Sequence, residues 1–267
     1  MSDTQEEGEV VTYELEGDVA LIGLNRPHKR NSMSPALTAQ LLECALRAGR
    51  EAKCGVLYGH GDNFCAGLDL SWAAKQWADD RTARNSYKSR LDPREVIARG
   101  EIPFVAALHG ATLGGGLETA CAAHVRVGDE TTFFGLPEGT RGIYIGGGGS
   151  VRIARILGFS RMQDMMLTGR VLRPEEGERF GLLHYLVPKG QALAKAKELA
   201  QRICKNAPLS NFAITNSLPR LQDMGYDDGL YFERMVGEYT RSPESITRLK
   251  QFLDKTAPRL RMPEEKK

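Results

Sequence analysis

Hydrophobic and polar positions change their period along the chain, and these changes predict strands and helices in turn. Residues 19–24 are apolar apart from one glycine, which is typical of a strand covered on both faces of a sheet. After Ser34, leucine and alanine recur three or four positions apart as far as Ala45, as in an amphipathic helix. Further strands are predicted at 10–16, 55–58, 104–108, 125–127 and 132–134. Strand, glycine turn and helix therefore repeat, which indicates an α/β fold.

Helical spacing dominates after about residue 158. The predicted helices are 160–167, 174–180, 191–206, 209–221, 227–240 and 243–255. Only residues 183–187 in this part have the pattern of an extended segment. We therefore predict two parts, an α/β core over residues 1–190 that carries the functional site and a helical region over residues 191–267.

Charge and cysteine usage narrow the possible functions. The 36 Lys and Arg residues oppose 34 Asp and Glu residues, a net charge of +2 that gives no support to nucleic-acid binding. No apolar run approaches the roughly 20 residues that span a bilayer, and residues 1–9 are acidic and polar, unlike a leader. The five cysteines and five histidines are scattered without metal-ligand spacing. We therefore expect a cytoplasmic protein with reduced thiols and no metal, membrane or nucleic-acid partner.

Two glycine runs, at residues 114–116 and 146–149, follow predicted strands. Such runs let the backbone turn sharply and bring amide N–H groups close to a ligand. Neither run is a GxxxxGK[ST] phosphate loop or a GxGxxG dinucleotide motif. A tight turn that serves packing alone remains an alternative for either run.

Two glutamates bracket the segment between the glycine runs. Glu118 lies among small and apolar residues, and Glu138 follows an apolar Phe-Phe-Gly-Leu-Pro segment. Burial would raise the pKa of a glutamate toward neutrality, where a general acid or base is most effective. A solvated surface position is the alternative for each residue. The pair nevertheless predicts a site of acid–base chemistry.

Four motifs occur in order along the chain. They are Asn25-Arg-Pro27 with Asn31-Ser32, Phe64-Cys-Ala-Gly-Leu-Asp69, the segment 109–118 with its triple glycine and Glu118, and Phe134-Gly-Leu-Pro-Glu138 with the downstream glycines. Over roughly residues 10–255 they resemble the crotonase (enoyl-CoA hydratase/isomerase) superfamily. The resemblance implies a spiral core of ββα units with a helical C-terminal region.

The resemblance also implies a catalytic set. The backbone N–H groups of Leu68 and Gly115 would bind the oxygen of a coenzyme A thioester, while Glu118 and Glu138 would act on water and the substrate carbons. Retention of both glutamates favours an enoyl-CoA hydratase, and which glutamate is the acid stays open. An acyl-CoA hydrolase, an isomerase or a non-catalytic binding protein of the same fold are the alternatives.

The remaining expectations concern the substrate and the assembly, and they too follow from the resemblance. Coenzyme A is part of the substrate, and no cofactor is expected. The residues expected to contact the substrate are His28, Lys29, Arg30, Ala66, Gly67, Asp69, Trp72, Gly114, Phe252 and Lys255, the last two from a neighbouring subunit of a homotrimer or homohexamer. A solvated basic turn at residues 28–30 and a core role for Trp72 are the alternatives. The acyl group could be short, as in methylthioacryloyl-CoA, or of medium length.

Overall fold

The computed structural model describes residues 8–78 and 91–256, with side chains in the first range as far as Lys75. The strands in these ranges are β1 Val11–Glu16, β2 Val19–Leu24, β3 Cys54–Gly59, β4 Phe104–Leu108, β5 Ala111–Leu113, β6 Val125–Asp129, β7 Phe133–Gly135, β8 Val171–Leu172 and β9 Tyr185–Val187. The helices are α1 Pro35–Glu51, α2 Leu70–Ala78, α3 Pro93–Arg99, α4 Gly115–Ala120, α5 Gly149–Leu157, α6 Phe159–Thr168, α7 Pro174–Arg179, α8 Ala192–Ile203, α9 Pro208–Leu221, α10 Tyr226–Tyr239 and α11 Pro243–Leu253. This element order confirms the predicted α/β class.

The larger sheet has the strand order β1-β2-β3-β4-β6-β9. The first two strands form an antiparallel hairpin, and every later neighbour is parallel. Strand β2 is buried at all six positions because both of its faces are covered. Ile22 belongs to the core cluster that includes α1, whereas Leu21 packs in the cluster that includes α8. This double coverage explains why the strand is apolar throughout.

The smaller sheet has the order β5-β7-β8 and supports the glycine-rich segments. Strands β5 and β7 are parallel, with Thr112 opposite Phe134, so the segments that follow them leave the same edge. The chain continues from β5 into α4 and from β7 toward Glu138. The two glutamates predicted to act together therefore follow neighbouring parallel strands.

Short elements account for most differences from the sequence-based prediction. The chain was expected to pass directly from β4 to the glycine turn, but the three-residue β5 intervenes. Helix α4 begins at Gly115 and ends at Ala120, earlier at both ends than expected. Helix α3 and strand β8 were not predicted. Elements of two to seven residues have too few positions to show a hydrophobic period.

The described residues form two compact units that divide between Asn206 and Ala207. In the first unit, Ala196 and Leu199 of α8 pack against the larger sheet. The division predicted at residue 190 lies one helix earlier than this one. The second unit contains α9, α10 and α11. Among the described residues, no helix combines the length and apolar character needed to cross a bilayer.

A substitution at Gly116 tests how closely α4 packs against the loop that follows β3. A Cβ atom at Gly116 would overlap the Cys65 carbonyl oxygen and lie 2.8 Å from Cys65 Cβ. Because the obstruction includes backbone, we expect Gly116→Ala to lower the free energy of unfolding by about 1–3 kcal/mol, the usual cost of overpacking. Denaturant unfolding measures this change.

Gly49 provides the matched control, since it also lies in a helix but a Cβ there would meet only ordinary contacts with Glu101 at 3.7 Å. Replacing a helical glycine by alanine favours the helix by up to about 1 kcal/mol. Gly49→Ala should therefore leave stability unchanged or raised. Equal effects of the two variants would contradict the close packing of α4.

Candidate active site

The loop at residues 64–69 is held on both sides by backbone hydrogen bonds. On one side, Cys65 N donates to Ala111 O at 2.9 Å, and Leu113 N donates to Cys65 O at 3.0 Å. On the other side, Met33 N donates to Gly67 O at 2.7 Å, and Asp69 N donates to Met33 O at 3.1 Å. The intervening Leu68 N–H has no backbone acceptor among the described residues. The loop therefore presents one fixed, unused amide donor.

The turn at Gly114 and Gly115 lies against this loop. Gly114 has φ +48°, and its N–H donates to Gly135 O at 2.9 Å. A Cβ atom at Gly67, where φ is +93°, would lie 2.9 Å from Leu113 O and 3.4 Å from Gly115 N. Only glycine therefore fits at position 67, where the backbone comes this close to Leu113 and Gly115. A Cβ at Gly115 would lie 3.8 Å from Leu68 N, so the Leu68 and Gly115 amides flank one small space.

Glu118 lies in α4 with only 4% of its surface exposed. Its Oε1 atom accepts hydrogen bonds from Gly147 N at 2.6 Å and Gly149 N at 2.9 Å. The second glycine run therefore serves as a cradle for this carboxylate. The Oε2 atom would lie 3.9 Å from a Cβ at Gly115, which places it near the amide pair.

Arg94 of α3 is the second contact of Glu118. Its Nη1 atom lies 3.6 Å from Glu118 Oε2, and the remainder of its guanidinium grips Asp92, with Nε–Oδ1 at 2.8 Å and Nη2–Oδ2 at 2.6 Å. Burial opposes ionisation of Asp92, but the hydrogen bonds and charge of Arg94 outweigh it and lower the pKa of Asp92. Arg94 was not predicted as a site residue, because nothing in its local sequence indicates the contact with Glu118.

Glu138 follows β7 and is 5% exposed. Its Oε1 atom would lie 2.7 Å from a Cβ at Gly114, and its buried Oε2 atom has no hydrogen-bond partner among the described residues. Burial raises the pKa of Glu138, a backbone hydrogen bond partly opposes this effect, and the charge of Glu118 makes a smaller contribution that also raises the pKa. This environment favours the protonated carboxyl group.

Asp69 is buried, and its carboxylate is engaged by protein groups. Oδ1 accepts from Ser71 Oγ at 2.6 Å, from Ser71 N at 3.1 Å and from Trp72 N at 3.2 Å. Oδ2 lies 3.1 Å from Arg26 Nη2 in a buried ion pair. These contacts tie the first turn of α2, and with it the half-buried Trp72, to the end of the loop.

The basic turn at residues 28–30 lies beside the same loop. Its three side chains are exposed, and Arg30 O accepts a hydrogen bond from Ala66 N at 3.0 Å. The buried Asn31 side chain holds the turn, because its Oδ1 accepts from Arg26 N at 2.8 Å and its Nδ2 donates to Asn63 O at 2.7 Å. His28, Lys29 and Arg30 are therefore available to solvent next to Ala66 and Gly67.

The other predicted substrate contacts lie in the second unit. Phe252 is in α11 and is 71% exposed, and Lys255 follows that helix with φ +59°. Within residues 8–78 and 91–256, no group of three or more His, Cys, Asp or Glu side chains is arranged to hold a metal ion.

Known proteins resemble this chain along nearly its whole length. It is 32% identical over 259 residues to the enoyl-CoA hydratase EchA19 of Mycobacterium tuberculosis, covering 96% of this chain and 97% of the relative. It is 32% identical over 244 residues to the 2,3-dehydroadipyl-CoA hydratase of Escherichia coli, covering 90% and 94%. A crystal structure from Rhodopseudomonas palustris superposes with a TM-score of 0.83 at 41% identity and covers 92% and 95%.

The structural match confirms the predicted spiral core of the crotonase fold. The family model for enoyl-CoA hydratase/isomerase matches residues 14–261, which includes both glutamates, both amide loops and the basic turn. This chain belongs to the enoyl-CoA hydratase/isomerase family of the crotonase superfamily.

Proposed function

We propose that this chain is an enoyl-CoA hydratase, which adds water syn across the α,β double bond of a short or medium unsaturated acyl-CoA. The observation that carries the proposal is the meeting of two buried carboxyl groups, Glu118 and Glu138, at the turn that presents the Leu68 and Gly115 amides. An enzyme that adds water to a conjugated thioester needs a base, an acid and donors for the thioester oxygen.

The amide pair would bind the thioester oxygen. Attack of water on the β-carbon moves negative charge onto that oxygen and forms an enolate. Donors that are already fixed in place stabilise this charge without reorganisation, and the loss of one typically costs about 3 kcal/mol of transition-state stabilisation. The hydrogen bonds around Cys65, Gly67 and Gly114 hold both amides in position before substrate binds.

The two glutamates divide the proton transfers by environment. Glu118 accepts two amide hydrogen bonds on Oε1, which stabilise a carboxylate, and Oε2 can take a proton from water. Glu138 has a raised pKa because of burial and so supplies the proton for the α-carbon. The β-carbon thus receives the hydroxyl group of water, and the α-carbon receives a proton from Glu138. The proton that Glu118 gained then passes to Glu138 through solvent, which restores the starting state of both residues.

The basic turn would hold the phosphates of coenzyme A. Lys29 and Arg30 are exposed and adjacent to the amide loop, so a bound pantetheine arm could run along Ala66 and Gly67 toward Leu68. Asp69 would contribute by fixing the loop through Arg26 rather than by direct contact. Coenzyme A is part of the substrate, and the reaction needs no separate cofactor.

The assembly and location are also proposals. Large apolar side chains, among them Tyr231 and Phe252, are exposed on the second unit, as expected of a surface that other subunits cover. We propose a homotrimer or homohexamer in which Phe252 and Lys255 of one subunit reach the coenzyme A site of the next. All five cysteines lie in the described ranges as free thiols, which fits a cytoplasmic protein.

Replacing either glutamate should abolish most hydration. Glu118→Gln and Glu138→Gln each remove one proton transfer, so we expect kcat to fall by about a hundredfold to ten-thousandfold. Loss of enone absorbance, measured on a panel of unsaturated acyl-CoAs that includes crotonyl-CoA and methylthioacryloyl-CoA, reports the rate and ranks the acyl groups. A thiol reagent in the same assay detects release of coenzyme A.

Glu101→Gln is the matched control, since Glu101 is exposed and should leave the rate unchanged. Release of free coenzyme A that depends on both glutamates would show that the protein is an acyl-CoA hydrolase and not a hydratase. Binding of coenzyme A without any turnover would leave a non-catalytic binding protein.

The protonation of Glu138 can be tested without a substrate. A carboxyl group whose pKa is raised by folding destabilises the folded protein once the pH rises above its pKa in the unfolded chain, about 4.3. Glu138→Gln should therefore raise the midpoint of thermal unfolding at pH 8 and make no difference near pH 4. A variant that is less stable than wild type at pH 8, yet equal near pH 4, would show that Glu138 is stabilised as a carboxylate.

The basic turn predicts a selective effect on affinity. Combined Lys29→Ala and Arg30→Ala should raise KM about tenfold for a coenzyme A thioester, because two phosphate contacts are lost. The same acyl group on N-acetylcysteamine lacks the phosphates, so its kcat/KM should not change. An equal loss with both substrates would indicate that the turn acts only on the structure of the loop.

A further inference from the structure

We propose that Arg94, anchored by Asp92, is a positioning residue that pairs its positive charge with the Glu118 carboxylate and orients it for its reaction with water. The inference rests on the proposed function, in which Glu118 is the base. The juxtaposition Asp92–Arg94–Glu118 joins the start of α3 to the buried carboxylate of α4.

The first observation is the grip of Asp92 on Arg94. The two side chains form a parallel two-bond fork at 2.8 and 2.6 Å, and Asp92 Oδ1 also accepts from Arg94 N at 2.8 Å. A guanidinium held this way has little freedom to rotate. Nη1 is the group left to face Glu118 Oε2, at 3.6 Å.

The second observation is that Arg94 also covers the peptide that binds the other oxygen of Glu118. A Cβ atom at Gly147 would overlap Arg94 Nη1 and Cζ, and it would lie 2.7 Å from Nε. Gly147 N donates to Glu118 Oε1. The guanidinium therefore lies across the glycine peptide and reaches Oε2, so it constrains both oxygens of one carboxylate.

The third observation is that Glu95, the next residue of α3, is also connected to the glycine cradle. Glu95 Oε1 accepts from Arg152 Nη1 at 2.5 Å, and Arg152 Nη2 donates to Gly147 O. Helix α3 thus reaches the glycine cradle twice, directly through Arg94 and indirectly through Glu95 and Arg152. Such a double attachment fixes the geometry of a reacting group from outside.

A role for Arg94 in binding an anionic acyl substituent is disfavoured by charge. Its single positive charge already faces the carboxylates of Asp92 and Glu118. A further anion at this point would meet a net negative environment. Positioning of Glu118 is therefore the role that the contacts support.

The titratable groups that act on this site come from several elements. Those that act on Glu118, Arg94 or its partner Asp92 are Glu138, Arg152, Cys65 and Cys121. Burial raises the pKa of the Cys65 thiol to about 12 and also raises that of Cys121, so neither thiol changes charge between pH 5 and 9. A change in that range therefore reports the carboxyl groups.

The test compares the pH dependence of hydration in Arg94→Gln, Arg94→Lys and wild type. When a positive charge within 4 Å of a carboxylate is removed, the carboxylate becomes protonated at a pH that is higher by about 1–3 units. We therefore expect the acidic limb of the kcat profile to move to higher pH by at least about one unit in Arg94→Gln. Arg94→Lys keeps the positive charge but loses the two-bond contact with Asp92. Its acidic limb should therefore return to the wild-type pH, while its kcat stays below that of wild type.

Arg99→Gln is the control, because Arg99 lies on the same helix but is exposed, and its ion pair among the described residues is with Glu95, at 3.8 Å. Its pH profile should match wild type. A reduced kcat in Arg94→Gln with an unmoved acidic limb would overturn the proposal and leave Arg94 a purely structural role.

Infrared difference spectra recorded through a pH titration provide a readout that needs no turnover. The carboxyl band that disappears in Glu118→Gln identifies Glu118. We expect this band to show protonation at a higher pH in Arg94→Gln than in wild type, and Arg94→Lys to restore it. A band that is unchanged in folded Arg94→Gln would overturn the positioning role, even if the protein hydrated no enoyl-CoA. A shifted band in a protein that shows no hydration would contradict only the proposed reaction.

Discussion

Two carboxyl groups are buried beside one glycine turn, and their burial determines how the surrounding residues must be arranged. A buried carboxylate without partners is costly, so it must gain hydrogen bonds or take up a proton. The two glutamates meet this demand in opposite ways. Glu118 has two amide donors and the Arg94 guanidinium, whereas Glu138 leaves one oxygen without a partner and has a raised pKa. Unequal surroundings of this kind can give two residues of the same type opposite protonation states, and the proposed division of the proton transfers rests on that difference.

Glycine makes this arrangement possible because the carboxyl groups approach the backbone itself. A side chain at Gly114 would collide with Glu138, and one at Gly149 would lie 2.7 Å from Glu118 Cγ. The same absence of side chains brings Gly67 against the Gly115 amide. The glycine runs thus serve two purposes, since they expose amide donors and make room for the two glutamate side chains.

Much of this site was predictable because its parts are local motifs. Glu118 and Glu138 stand out by their apolar neighbours and by the glycine runs, and the apolar strand β2 is buried on both faces as its pattern predicts. Arg94 was not predictable in the same way. Its sequence neighbourhood carries no motif, and its contact with Glu118, 24 positions later, arises from how α3, α4 and the cradle at Gly147 pack together. Single sequences show periodicity and turns well, but they do not show which distant charges meet.

A crystal structure with a bound saturated acyl-CoA would show whether the amides and glutamates contact the substrate as proposed. We expect the thioester oxygen to lie about 2.7–3.1 Å from both Leu68 N and Gly115 N. We also expect the α- and β-carbons to lie between the Glu118 and Glu138 carboxyl groups, with the phosphates near Lys29 and Arg30. A thioester oxygen that contacts neither amide, or an acyl chain that leaves both glutamates out of reach of those carbons, would rule out the proposed active site.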